Sequence, residues 1–348
     1  SIEQIQWGTG TLYHTGANFG INSLLTEFNN VVKNGSGVIT LYNNILLHGN
    51  MLFSDNTNLN MQAFDIVCDG VGKNFSIGTN SYIYSYIPDT AATVRYAFPT
   101  GFASYSIDPT NSYYVRGSYN QSILPGVNYG GIYLYDNLAR QVRLRGDLVA
   151  QTFFRVEYDL IQFVDNGHNL YLAGYNNDLR NYTPTSTIYL NGSGLQRIYA
   201  GGVFASVNIN NLVLSNGGIK TLEELDVYIS GNVTIAATDT LRTQYNIYFS
   251  GSNFTNNGRF EHTNRVFRFN GTDQTINPGS NQFYDVFFQN QGTKTTTGSG
   301  FNIRNDITID GTSPVAVDFG SLTHNIGSTN VIIGNGSWNV SNANLIFD

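Results

Sequence analysis

The stretch NGTDQTINPGSNQFYDVFFQNQGTKTTTGSGFNIRNDITI, Asn270 to Ile309, decides the fold because its pattern recurs in the chain. Its landmarks are Gly271, Gln274 and Ile276, the apolar run Val286-Phe287-Phe288, then Asn290 and Lys294, and finally Phe301, Ile303, Asp306, Ile307 and Ile309. An upstream copy carries Gly192, Gln196 and Ile198, Leu212-Val213-Leu214, Asn216, Lys220, Val227, Ile229, Asn232, Val233 and Ile235. Asn211 to Ile235 aligns with Asp285 to Ile309 without a gap, and apolar spacing is kept throughout. The two copies also match further on: Asn257, Gly258, Phe260, Thr263, Asn264 and Phe267 correspond to Asn335, Gly336, Trp338, Ser341, Asn342 and Leu345.

A third copy begins at Gly117, Gln121 and Ile123 and continues through Val142, Leu144, Gly146, Asp147 and Leu148. A looser first copy runs from FNNVVKNGSGVITL at Phe28 to Ile45, Leu47, Gly49, Asn50 and Met51. The period is roughly 75 to 80 residues, stretched to about 100 in the first copy, which is the signature of a repeat architecture. The approximate units are residues 1–116, 117–191, 192–270 and 271–348, one continuous repeat region. Residues 54–114 break the pattern. They are Tyr-rich (SYIYSYIP from Ser81) and hold Pro88, Pro99 and Pro109, so an irregular insertion or set of decorated loops is expected there.

Composition selects the element type. Charged residues are only 12%, Gly numbers 37, Tyr 23 and Phe 22, and Asn and Thr fill the polar positions. Asn, Gly, Thr and β-branched residues disfavour helix and suit short strands between turns. Asn-Gly turn signals recur at Asn191, Asn257, Asn270 and Asn335. Repeating units of alternating strands predict an all-β chain, a β-solenoid or parallel β-helix with three or four coils of about 20–25 residues per unit. A series of β-sandwich domains is the competing architecture. Val227, Ile229, Val233, Ile235, Phe301, Ile303, Ile307 and Ile309 are the expected inward residues. Asn216 and Asn290, at matched positions, are expected to form amide ladders.

The formal net charge of −7 and the lack of a Lys/Arg cluster argue against a nucleic-acid partner. The nearest basic run, RQVRLRG from Arg140, alternates with Val142 and Leu144 and reads as the polar face of a strand. The single cysteine, Cys68, lies in an apolar run and reads as a small buried residue, with no disulfide possible within the chain. No transmembrane stretch is evident. The chain starts at Ser1 and stops before the Gly that would open another unit, so a fragment of a longer repeat protein is expected.

Catalytic patterns are absent. There is no Gly-x-Ser-x-Gly elbow, His-Glu-x-x-His or Walker loop, and the Gly-Gly-x-Gly-x-Asp calcium repeat does not continue past Gly130-Gly131. His14, His48, His168, His262 and His324 do not recur at the repeat period and read as surface or turn residues. Glu223 and Glu224 are adjacent, so on a strand they face opposite ways. Asp65 and Asp69 flank Cys68 and could meet. The reading is therefore of a chain that is not an enzyme, with no cofactor, no metal and no assigned catalytic residue; its ligand-binding residues are unknown. Tyr82, Tyr84 and Tyr86 would share one strand face, where sheet packing, sugar stacking and subunit contact all remain open.

The phrases FNNVVKNGSGVITLYNNILLHGNMLF and FYDVFFQNQGTKTTTGSGFNIRNDITIDG resemble the repeats of large secreted surface proteins of Bacteroidota, the gliding-type adhesins and other giant proteins exported by the type IX secretion system. Phe28-Asn29-Asn30-Val31 with Gly49-Asn50-Met51, and Phe283 to Phe288 with Asn305-Asp306-Ile307, carry the resemblance. It implies an extracellular or cell-surface β-rich stalk or filament, a structural or adhesive part of an appendage. Low charge with many Asn, Thr and Tyr residues suits association with copies of itself and contact with surface glycans. It carries over no catalytic residue. The alternatives are a carbohydrate-binding or polysaccharide-degrading β-helix, which predicts an acidic and basic cluster on one face, and a phage or virus tail-fibre segment.

Overall fold

Strands of three to six residues, separated by turns that only Asn, Gly and Asp tolerate well, cannot bury an apolar face by pairing locally in so short a span. They bury it by stacking. The computed structural model describes residues 10–21, 27–88, 94–202, 206–223, 226–279, 282–311, 313–327, 330–340 and 342–347. Among these residues there is no helix, and the strands form about 15 turns of parallel stacked coils, a β-solenoid. The chain divides into two compact units: Ser1–Leu170 with Asn181–Thr183, and Tyr171–Arg180 with Pro184–Asp348.

Unit two builds its coils from three strands, one on each of three faces; in unit one the long strands Asn128–Leu134 and Leu148–Val156 each share a coil with one further strand, Arg140–Leu144 and Ile161–Val164. In unit two the first face stacks Thr187–Leu190, Asn211–Leu214, Val233–Ile235, Asn253–Asn256, Gln274–Asn277, Gly292–Thr296, Val315–Asp318 and Gly336–Asn339. The second stacks Asn176–Asp178, Gln196–Tyr199, Gly218–Leu222, Asp239–Thr243 and Arg259–His262, and continues through Gln282–Phe283, Asn302–Ile303, Thr323–Ile326 and Asn344–Phe347. The third stacks Ser206–Ile209 through Asp226–Ile229, Ile247–Phe249, Val266–Phe269, Asp285–Phe288 and Ile307–Ile309 to Val331–Ile333. Paired residues in successive coils are 19 to 24 apart, as in Thr240↔Arg259 and Thr187↔Asn211.

The sequence repeat does not match the coil. Asn211–Leu214 and its counterpart Asp285–Phe288 are the twenty-fifth and thirty-sixth described strands, eleven apart, while a coil holds three. Equivalent residues therefore lie on different faces. Asn211–Leu214 is on the first face and Asp285–Phe288 on the third; Lys220 is on the second and Lys294 on the first. What is preserved between copies is the inward or outward sense of each side chain, not its face.

Unit one follows the same plan through the stretch expected to be an irregular insertion, and that expectation is corrected. Residues 54–114 supply Thr57–Gln62, Ile66–Cys68, Asn74–Ile77, Tyr82–Ser85, Ser104–Ile107 and Ser112–Val115, each paired in parallel with the coil before or after it. The irregularity is one long coil, in which Asn74 and its partner Ser104 are 30 residues apart. Composition misled here because Tyr and Ser replace the usual Val and Ile, yet the alternation of inward Ile83 and Ser85 with outward Tyr82 and Tyr84 is intact.

The core is apolar and strongly aromatic. The eight expected inward residues, Val227, Ile229, Val233, Ile235, Phe301, Ile303, Ile307 and Ile309, are all buried. In unit two Phe254, Phe260, Phe267, Phe269, Phe283 and Phe301 pack at ring-centroid distances of 4.6 to 6.4 Å. Each fully buried side chain of this size contributes about 1.5–3 kcal/mol. Cys68 is buried, as expected.

The expected amide ladders are replaced by another device. Asn216 and Asn290 adopt φ of 69° and 64°, and each donates from Nδ2 to the backbone carbonyl of the coil before it, at Asn191 and Asn270. Side-chain ladders do occur, at other corners. Asn211 Oδ1 accepts the Asn232 N–H at 2.7 Å, and Asn232 Oδ1 accepts the Asn253 N–H at 2.9 Å.

Candidate functional site

Inside the core, the repeat landmarks Gln and Lys are not surface residues. Gln196 and Gln274 are buried, and each donates from Nε2 to two carbonyls of the preceding coil, Leu172 and Gly174 in one case and Phe249 and Gly251 in the other. The lysine in register above each glutamine is buried too. Lys294 Nζ donates to the carbonyls of Gly271, Thr272 and Gln291 at 2.5, 2.7 and 3.1 Å. Burial pushes its ammonium down to about 8, so it stays charged at neutral pH. Lys220 donates to the Gly192 and Gly217 carbonyls and lies 3.6 Å from the equally buried Asp239. Lys33 repeats the arrangement on Gly16, Gly35 and Ser36. These groups tie the turns of adjacent coils together and face no solvent.

Arg140 belongs with them, which corrects its reading as part of an outward polar face. It points inward beside Val142 and Leu144, donating to Gln121 Oε1 and to the carbonyls of Val115 and Tyr135. His262 and His324 are also buried rather than at surface turns. His324 accepts the Phe301 N–H at Nδ1 (3.0 Å) and donates to the Phe319 carbonyl (2.9 Å). Asp65 and Asp69 do not pair: Asp65 holds Arg95 and Asp69 holds His48. Glu224 lies outside the described residues, as do Trp7 and Ser341.

Outside the core, unit one carries an aromatic row. Tyr84, Tyr114 and Tyr133 stack at 4.9 and 4.8 Å, Phe153 lies 4.5 Å from Tyr133, and Arg155 caps both. Gly131 has no Cβ where the Phe153 ring sits. Each inner ring spends its faces on its neighbours, so the row offers edges and hydroxyls and no free face for a sugar. Of the readings open for Tyr82, Tyr84 and Tyr86, sheet packing accounts for the geometry.

The second face of unit two differs. Arg197, Thr221, Arg242 and Glu261 are in register on four successive coils; Arg197, Arg242 and Glu261 are part-exposed, and Thr221 is buried between them. Arg197 pairs with Glu223 at 2.5 Å, and its guanidinium lies over Tyr175 and Tyr199. Glu261 is shared by Arg242 at 2.5 Å and Arg259 at 3.0 Å. Two depressions flank this cluster. One, of about 300 Å³, is lined by Thr221, Glu223, Arg242, Gln244 and Tyr245. The other, of about 540 Å³, is lined by Arg259, Glu261, His262, Gln282, Asn302 and Arg304. His262 donates from Nε2 to the Tyr245 carbonyl at 3.2 Å, which leaves Nδ1 as a buried acceptor with no protein partner. Burial pushes its pKa down to about 4.

Sequence reading placed no site here. Its residues come from several coils, and the coil register brings them together. Among the described residues no group of three or more His, Cys, Asp or Glu side chains is placed to hold a metal ion, and no helix is long and apolar enough to cross a membrane. Comparison with family models, curated proteins and solved structures gives no match to this chain.

Proposed function

We propose that this chain is an extracellular structural and adhesive repeat protein whose solenoid coils serve as a stiff spacer and associate with further copies of themselves. The observation that carries this reading is the fold itself: about 15 turns of parallel stacked coils with no helix among the described residues, the architecture of an extended repeat protein. The likeness to exported surface-protein repeats of Bacteroidota supports the extracellular placement, and the absence of a catalytic motif in the sequence supports a structural role over an enzymatic one.

Light scattering of the isolated chain, with negative-stain electron microscopy of native material, tests this. Fibres or a defined multimer are expected. Monomers at every concentration would count against assembly.

A second reading, saccharide contact, is favoured by one observation: the acidic and basic cluster on the second face of unit two, which a carbohydrate-binding β-helix predicts.

A further inference from the structure

We propose that the second face of unit two, from Glu223 to Arg304, is a binding groove for an anionic, uronate-bearing polysaccharide lying along the direction in which the coils stack. This rests on the saccharide-contact reading and gives it a substrate class and a site.

Charge makes the first argument. The whole chain is acidic, at −7, yet Arg242, Arg259 and Arg304 line these two depressions against Glu223 and Glu261. Glu223 is already held by Arg197, and Glu261 is divided between Arg242 and Arg259. Arg304 is exposed, and among the described residues no ion pair reaches it. The surplus is cationic and made of guanidinium groups, whose planar fork matches a carboxylate.

The second argument is the neutral lining. Gln282 and Asn302 line the larger depression beside Arg304, and Gln244 and Tyr245 line the smaller one. Amide and phenol groups set beside arginine suit a ligand that carries hydroxyls as well as carboxylates, as a sugar acid does.

The third argument is pitch. Coils rise by about 4.8 Å, close to the length of one pyranose in an extended chain. A polysaccharide laid across the coils therefore meets an equivalent position at each sugar, the arrangement that Arg197, Thr221, Arg242 and Glu261 already show.

The test is titration calorimetry of the intact chain with oligogalacturonate, with a neutral cello-oligosaccharide of equal length and with oligodeoxythymidylate as a phosphate polyanion. Oligogalacturonate should bind, more tightly at low salt, and Arg304→Ala should weaken it about tenfold, the loss of one charge-assisted contact. Asn302→Ala should weaken it with its salt dependence unchanged, because the lost contact is uncharged. Arg304 is exposed, so circular dichroism of Arg304→Ala should match the parent chain. If the neutral oligosaccharide binds equally well, the saccharide reading survives and the uronate assignment falls. If neither sugar binds, both fall. Tighter binding of the oligonucleotide, or uronate binding that both variants leave intact, overturns the groove as a uronate site.

Discussion

His262 carries a pH dependence whose sign follows from its burial. Its folded pKa of about 4 lies below the ordinary value of 6.5. Above pH 6.5 the imidazole is neutral in both states and costs nothing. Between pH 6.5 and 4 the unfolded chain takes up a proton that the folded chain refuses, so stability falls as pH falls, by up to about 3 kcal/mol. His324 is shifted the same way by burial and adds to the slope. Urea midpoints at pH 7.5, 5.5 and 4.5 should show a shallower acid loss in His262→Phe than in the parent; equal slopes would rule out burial of this imidazole as the cause. Lys220 gives a second prediction. Lys220→Met strands the Asp239 carboxylate in the core and should cost about 3–5 kcal/mol, most of it recovered by adding Asp239→Asn. Solenoid stability is local, so amide exchange in the strands Gly218–Leu222 and Asp239–Thr243 is the measurement that reads both variants. Neither residue's role was legible in the sequence. Alternation tells which side of a strand a residue takes, and by that rule a lysine or arginine is placed outward. Lys220, Lys294 and Arg140 break the rule because turn carbonyls of the neighbouring coil converge on their donors, and those carbonyls come from residues about 20 to 30 positions away.

A strand in this fold has an inner and an outer ledger of contacts, and the two differ in size. Phe267 lies within 6.5 Å of six other aromatic rings in the core, so Phe267→Ala should cost about 3–5 kcal/mol. Asn232, at a corner, accepts the backbone N–H and the Nδ2–H of Asn253 at its side-chain Oδ1, and Asn232→Ala should cost about 1 kcal/mol. Denaturation followed by a probe within unit two should reproduce that order; a corner substitution as costly as the core one would mean that the ladders and not the rings hold the coils in register. The strands were the most legible part of the chain, since the period of two survives in nearly all of them, from Met51–Phe53 to Ile307–Ile309. The Tyr-rich strands of unit one were misjudged because residue type was weighed above spacing. The arginine and glutamate groove was not legible at all: Arg197, Arg242 and Glu261 are 45 and 19 residues apart along the chain, and they become neighbours only through backbone pairing.

At the largest scale, between the copies that begin at Gly192 and Gly271, the repeat and the coil keep different counts, eleven strands against three. A duplication of the underlying gene segment thus does not copy a surface. It copies the rule that sends each side chain in or out, and it sets the new copy a third of a turn away. The core tolerates this because all three faces ask the same thing of an inward residue. The exterior gains from it, because a residue selected on one face has a descendant on another, where it is free to change. A groove confined to one face of unit two therefore draws its residues from positions that are not equivalent in the two copies, so the repeat alone carries no copy of it.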